Sequence, residues 1–431
     1  MSQKSRLNAF RKLLAHAREI LELDMGFRLW DGSTVPDDWP RDGFTIRFAD
    51  EGAIAALAKK PKTEVLLNLW VTARIDFENG TLFDLVARRP KVRTREIRKR
   101  LSKWHVFNAY RQFLFVDRGG PWPLEAQPSE KPSSGDLAEN EKNIAYHYDV
   151  SNAFYKLFLD KEMVYTCGYV TSPDNDIDQI QQDKLDMICR KLRLKPGETL
   201  LDIGCGWGAL TRHAAENFGV TTLGVTLSKE QLAMAQEQAR LRGLQERCKY
   251  ELLDYTKVEG QFDKITSIGM HEAIGIDNYP TYYATVKRVL KPGGLYLHHA
   301  ITRPAKPNMR NWRKKNADLA LLTKYIFPGG ELDHIGNTVM MLEQHKFEVH
   351  DVEDWREHYQ RTCRIWHDRL RDRYDEAVAE VGAVKTRMWL IYLAGCSIAF
   401  ERNTARIYQT LVSQAARGPS PVPMTRADLY I

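Results

Sequence analysis

The stretch Thr199-Leu200-Leu201-Asp202-Ile203-Gly204-Cys205-Gly206-Trp207-Gly208 decides the fold. Thr199–Ile203 is a short apolar run containing one acid; it passes directly into alternating glycines, and a helical pattern continues from Leu210 to Phe218. Strand, glycine-rich turn and helix in that order open a nucleotide-type βαβ unit, in which glycines let backbone approach a ligand where a Cβ would clash. A second strand, Thr221-Thr222-Leu223-Gly224-Val225-Thr226, follows one unit later. A dehydrogenase would place an acid after that strand to hold the ribose; Val225-Thr226-Leu227-Ser228 offers only hydroxyls. The pattern points to an S-adenosylmethionine (SAM) site rather than an NAD site or a glycine turn without ligand. The missing acid narrows it to a small group of SAM enzymes.

Further strands are expected at 248–253, 262–269 and 294–301, with helices at 229–242 and 279–290 and a turn at Lys291-Pro292-Gly293-Gly294. Residues 309–326 read as a helix that interrupts the sheet order, Phe347–His350 as a late strand, and 361–413 as mostly helical. Alternating strands and helices make a mainly parallel, doubly wound α/β sheet, a Rossmann-like domain with helical insertions. At 431 residues the chain has room for two or three domains. The Pro-, Gly- and Ser-rich stretch 118–140 reads as a linker between a smaller α+β domain, 1–117, and the catalytic domain, 141–431. In the first domain a helix is expected over 4–23, strands at Phe44–Phe48 and from Val65 to Asp76, and a helix from Gly80 to Val86. The helix 4–23 is amphipathic: it either packs on a core or lies on anionic lipid.

The formal charge of +7 is unevenly placed. Residues 1–110 hold 21 Lys and Arg against 14 Asp and Glu, so the rest of the chain is neutral. Nine cations and one acid fall within Arg88–Trp104, with Phe107 close behind. This is a solvated face or a contact for a polyanion, either RNA or anionic phospholipid. The six cysteines form no C-x-x-C pair, no apolar secretory segment opens the chain, and the uncharged run Met388–Phe400 is too short to span a bilayer. A cytoplasmic, peripherally membrane-associated protein is expected.

More specific segments flank the fold core. They are His147-Tyr148-Asp149-Val150-Ser151-Asn152-Ala153-Phe154-Tyr155, Tyr165-Thr166-Cys167-Gly168-Tyr169 and Gly224–Ser228 with Gln231. Further on come Gly269-Met270-His271-Glu272-Ala273-Ile274-Gly275, His298-His299-Ala300-Ile301, Tyr325–Gly330 and Tyr359 with Thr362 and Trp366. Together they resemble the cyclopropane-fatty-acyl-phospholipid synthase family, which includes the mycolic acid cyclopropane synthases. The resemblance covers about 141–415, and the N-terminal domain resembles the extra lipid-facing domain of the bacterial phospholipid enzymes. It implies transfer of a methylene group from SAM to a cis double bond of an acyl chain, with bicarbonate as the bound base. It assigns Cys167, Glu272, His299, Ile301 (through its backbone) and Tyr359 to the bicarbonate. Tyr165, Thr166, Gly204, Gly206, Thr226, Leu227 and Gln231 go to SAM. Asp202 is expected to support the methionine end and Asp254 to lie at the adenine edge. Each cage residue taken alone reads as core packing; their order along the chain is what carries the assignment.

An intermediate cation must be kept from water, and aromatic faces stabilise it; Tyr148, Tyr165, Tyr169, Phe327 and Tyr359 are the candidates. The Glu272 segment departs from many family members, with His271 before the acid and Ala273 after it. That bears on acid–base behaviour and on whether the product is a ring or a methyl or methylene branch. A catalytically silent SAM- and lipid-binding protein is the reading from another class, and the intact glycines and cage residues oppose it. Expected partners are an unsaturated phospholipid and an anionic membrane surface, with homodimerisation open and neither nucleic acid nor metal.

Overall fold

The computed structural model describes residues 2–90, 94–125, 151–306 and 330–430. Tyr148, most of the expected linker, the helix expected over 309–326 and Phe327 lie outside the described residues. The chain divides into two compact units: Met1–Pro128 with Val381–Gly395, and Ser129–Glu380 with Cys396–Ile431.

The first unit is built on a four-stranded sheet of β1 (Gly26–Arg28), β2 (Thr34–Val35), β3 (Thr45–Phe48) and β4 (Ile75–Glu78), in the order β2-β1-β3-β4. Only β1 and β3 run parallel. The helix Gln3–Leu21 buries Ala9, Phe10 and Leu14. Phe10 meets the rings of Phe48 and Phe113 at 5.3 and 6.1 Å. Its apolar stripe is thus used in the core, which settles the choice between packing and lipid. The strand expected from Val65 to Asp76 is instead a helix, Thr63–Val71, followed by β4. Val65, Asn68, Leu69 and Val71 are buried at helical spacing, and a short, nearly continuous apolar run does not by itself separate helix from strand. Ala73, at φ 54, turns the chain between the two. Residues 381–395 join this unit through Arg387, which stacks on Trp70 at 4.2 Å and pairs with Asp76 at 2.8 Å.

The second unit holds a seven-stranded sheet: β5 (Thr199–Ile203), β6 (Thr221–Thr226), β7 (Cys248–Leu252), β8 (Phe262–Ile268), β9 (Leu290–Thr302), β10 (Phe347–Asp354) and β11 (Arg406–Gln414). The order is β10-β11-β9-β8-β5-β6-β7. β5 to β9 are parallel, and β11 runs antiparallel to both its neighbours. From β5 the chain builds outward through β6 and β7, then returns to the other side at β8. The crevice at the carboxyl ends of β5 and β8 is therefore the topological switch point, where open α/β sheets bind ligands. Pairing along β8 and β9 skips from Phe262–Leu290 to Lys264–Leu295, so Lys291–Gly294 bulges where the turn was expected.

β11 corrects the expectation of helix through 413. The helix Ala383–Glu401 ends before Asn403, whose φ of 58 reverses the chain. The strand then enters the sheet between β9 and β10. Buried from Thr-bearing to aliphatic positions alike, Gln409–Ser413 shows no apolar–polar alternation by which to mark it as a strand.

Candidate active site

The glycine turn is tied to the second strand by backbone. The N–H groups of Gly204 and Cys205 both donate to the Val225 carbonyl, at 2.9 and 3.1 Å. Gly204 and Gly206 adopt φ of +79° and +54°, a region that favours glycine. A Cβ at Gly204 would lie 2.9 Å from Met270 Cγ, whereas one at Gly206 would meet no described residue within 4 Å. The turn thus touches the segment carrying Glu272 on one side and is free of described neighbours at Gly206. Beneath it, buried Asp202 accepts a hydrogen bond from Thr266 Oγ1 at 2.8 Å. Burial pushes its carboxyl up to about 6, against the lowering effects of Thr266 and Lys184.

Hydroxyls shape the end of β6. Thr226 Oγ1 donates to Gln231 Oε1 at 2.9 Å and accepts from the Ser228 N–H at 3.2 Å. Ser228 Oγ caps the helix Lys229–Leu241 by accepting from the Gln231 N–H at 3.3 Å. Leu227 is half-buried between them. Asp254, after β7, accepts from both the backbone N–H and the hydroxyl of Thr256, which holds it at the start of the turn Tyr255–Lys257.

On the other side, Glu272 sits in the single turn His271–Ala273 that follows β8. The Ile301 N–H donates to its Oε1 at 2.5 Å, and Oε2 is buried without a partner among the described residues. Burial pushes this carboxyl up to about 7. His299 lies two residues before Ile301, on the same face of β9. Gln409, directly opposite on β11, donates its amide N–H to His299 Nδ1 at 2.9 Å. That assignment places the ring proton on Nε2, which is buried and has no partner among the described residues. Burial holds the imidazole neutral, well below its ordinary range, and Lys184 and Lys191 add to the effect.

Trp355 links this group to the remaining predicted residues. Its ring stands edge-on to His299 at 5.1 Å. Its carbonyl lies 3.8 Å from Cys167 Sγ and accepts the Tyr359 N–H at 3.0 Å. Burial raises both the Cys167 thiol and the Tyr359 phenol. Tyr165 and Tyr359 flank Trp366, at 5.2 and 6.0 Å between rings. Tyr169 stacks near Trp355 and on His358 at 4.8 and 4.7 Å. Three of the five aromatic candidates therefore meet around two tryptophans.

The structure adds residues that the sequence reading passed over. Lys184 Nζ donates to Thr166 Oγ1 at 2.8 Å, and Gln181 Nε2 to the Thr166 carbonyl at 2.9 Å. Both project from the buried face of the helix Ile177–Lys191. Lys191, at the end of the same helix, donates to Gln409 Oε1 at 2.6 Å and pairs with Glu353. Polar residues interrupting an apolar helical stripe are the signal that would have found them. His271, beside Glu272, is turned into the core, stacked on Tyr279 at 3.8 Å with Nε2 3.1 Å from the Tyr283 hydroxyl.

Residues 136–410 match the family model described as mycolic acid cyclopropane synthetase. A Pseudomonas putida protein named "Probable fatty acid methyltransferase" is 35% identical over 97% of this chain and 99% of its own length. The Escherichia coli cyclopropane-fatty-acyl-phospholipid synthase is 38% identical over 62% of this chain and 66% of its own. Among solved structures, the cyclopropane synthase MmaA2 from Mycobacterium tuberculosis shares 30% identity with a TM-score of 0.60, over 63% of this chain and 98% of that one. The mycolic acid cyclopropane synthase CmaA1, solved with SAH and CTAB, gives the same score and identity over 63% and 97%. The glycine turn, the seven-stranded order and this similarity along the chain agree: the protein belongs to the mycolic acid cyclopropane synthetase family of SAM-dependent methyltransferases.

Proposed function

We propose that the protein converts a cis double bond in an acyl chain of a phospholipid into a cyclopropane ring, using SAM and a bound bicarbonate. The observation that carries this reading is the pair of buried atoms Glu272 Oε2 and His299 Nε2, which have no hydrogen-bond partner among the described residues. An acceptor or acid together with an N–H donor fits a small oxyanion that carries its own hydroxyl. The lack of described neighbours within 4 Å of a Cβ at Gly206 fits backbone approach to SAM. SAM would supply an electrophilic methyl, which the olefin takes with cleavage of the S–C bond. Bicarbonate would supply the base for the proton lost from that methyl as the ring closes.

The chain's own residues do the rest. Gly204, Gly206, Thr226 and Gln231 bind and orient the nucleotide and methionine parts, with Tyr165, Thr166, Asp202, Leu227 and Asp254 around them. Glu272, the Ile301 N–H, His299, Cys167 and Tyr359 hold the anion. His299, kept neutral, donates from Nε2, and Glu272, near its midpoint at neutral pH, exchanges a proton at Oε2. Tyr165, Tyr169 and Tyr359 exclude water and offer ring faces to developing positive charge.

In the first unit, the helix Lys103–Phe113 exposes Trp104, Phe107 and Tyr110 on the side opposite buried Ala109 and Phe113. Lys99, Arg100, Lys103 and Arg111 are exposed close by in sequence. Cations mixed with aromatic rings support peripheral contact with an anionic bilayer. No described helix is long and apolar enough to cross a membrane.

A second reading is a methyl- or methylene-branched product. It is favoured by Ala273 and by the name of the Pseudomonas putida relative, which matches almost the whole chain. SAM labelled with a trideuterated methyl, incubated with the protein and vesicles of cis-unsaturated phospholipid, separates the outcomes. Ring closure leaves two deuterons in a cyclopropane, identified by mass and NMR. An acyl chain that keeps all three, or gains an exo-methylene, supports branching, and an unchanged chain refutes both.

A further inference from the structure

Lys184 is only 2% exposed, yet among the described residues its ammonium makes a single hydrogen bond, to the neutral hydroxyl of Thr166. Among the described residues, no carboxylate reaches it at ion-pair distance. The two that act on it from farther away are already engaged. Asp160 accepts the N–H groups of Val164 and Glu162 at 2.8 and 2.9 Å, and Asp202 accepts Thr266 Oγ1. Burial lowers the Lys184 ammonium to about 8 and raises both carboxyls to about 6, so this pocket is poorly solvated for charge of either sign. A desolvated ammonium without a counter-ion is costly and calls for an anion.

The cage next to it has the opposite deficit. Glu272 brings an acid, while Cys167, Tyr359, the Ile301 N–H and neutral His299 bring no formal positive charge. Lys184 and Lys191 are the two cations that act on His299. Lys191 is paired with Glu353; Lys184 has no ion-pair partner among the described residues. Its helix also holds Thr166, and hence the Tyr165–Cys167 segment that joins the two halves of the site.

We infer that Lys184 is the counter-charge for a small carboxylate-like anion bound between the glycine turn and the Glu272–His299 cage. Two sources share that chemistry: the bicarbonate of the proposed reaction, on which this arm of the inference rests, and the α-carboxylate of SAM. Lys184 acts here as an electrostatic and positioning residue.

The test compares Lys184→Met, Lys184→Gln (which retains a donor for Thr166) and Lys184→Arg with wild type. It reads half-saturating bicarbonate in turnover, and calorimetric affinity for SAM and for decarboxylated SAM. If bicarbonate is the partner, both neutral variants raise its half-saturation by at least about 30-fold with SAM affinity unchanged. If the SAM carboxylate is the partner, they weaken SAM by a similar factor but leave decarboxylated SAM unaffected. In either case Lys184→Arg recovers part of the loss. Neutral variants within about threefold of wild type in every readout overturn the inference, as does equal weakening of SAM and decarboxylated SAM, which would mark a packing role. Wild-type turnover that persists in carbonate-free buffer would instead strike the proposed base. The two SAM affinities would then decide Lys184 alone.

Discussion

At the carboxyl ends of β5 and β6 lie glycine backbone and neutral polar side chains, Gly204, Gly206, Thr226 and Gln231, with buried Asp202 already bonded by Thr266. At the ends of β8 and β9 lie buried ionisable side chains, Glu272 and His299, each with one polar atom that has no partner among the described residues. The first side fixes shape, since its hydrogen bonds are already closed within the turn and the helix cap. The second side holds unmet hydrogen-bonding capacity at groups whose protonation is displaced by burial. In the proposed function, binding and proton transfer fall on different strands, which mutation should separate.

The largest expected effect is on the shape side. Gly206→Val adds a branched side chain to the turn and strains a φ of +54°. SAM affinity should fall by more than about 100-fold while circular dichroism reports a folded protein. Unchanged calorimetric affinity would move the cofactor elsewhere. On the other side, Gln409→Leu removes the donor that fixes the His299 tautomer. Partners that orient a functional imidazole are typically worth about 10- to 100-fold. The expected outcome is a fall of that size in kcat, with SAM affinity retained. A fall in SAM affinity with intact kcat would break the division between the two sides.

A smaller effect concerns stability. The Glu272 carboxyl is raised by burial from an ordinary 4.5 to about 7. The folded state therefore holds its proton longer than the unfolded chain, and the associated stability is present below 4.5 and lost as pH rises through about 7. Glu272→Gln should escape that loss. Its Tm relative to wild type should climb from pH 5 to pH 8, read by scanning calorimetry at about one-unit intervals. A constant difference would mean the carboxyl is not desolvated. The smallest effect is expected in the first unit. Changing Lys99, Arg100, Lys103 and Arg111 to Gln should reduce flotation with anionic vesicles several-fold, in a salt-dependent way, and leave SAM affinity alone. Equal flotation with neutral vesicles would leave these cations as a solvated face.

The shape side was legible in the sequence because its signals are local: strand, glycines, second strand and cap residues lie within one βαβ unit. Glu272 and Ile301 come together across neighbouring strands, and their order along the chain carried the family resemblance. Gln409 was hidden because β11 is buried on both faces and follows an apolar helix, so alternation was lost just where a strand begins. Lys184 was hidden for a different reason. A lysine in an amphipathic helix reads as solvated until tertiary packing shows that it lies on the buried stripe with Ile177, Ile180 and Ile188. In the first unit, Thr63–Val71 failed as a strand because its apolar run lacked any period to choose by.

The division between a binding side and a proton-transfer side is tested most directly by Glu272→Ala. SAM affinity is measured by calorimetry, and turnover on cis-unsaturated phospholipid vesicles is measured in the same preparation. The predicted result is SAM affinity within about threefold of wild type and turnover lower by at least about 100-fold. Near-wild-type turnover, or a loss of SAM binding that parallels the loss of turnover, would contradict it.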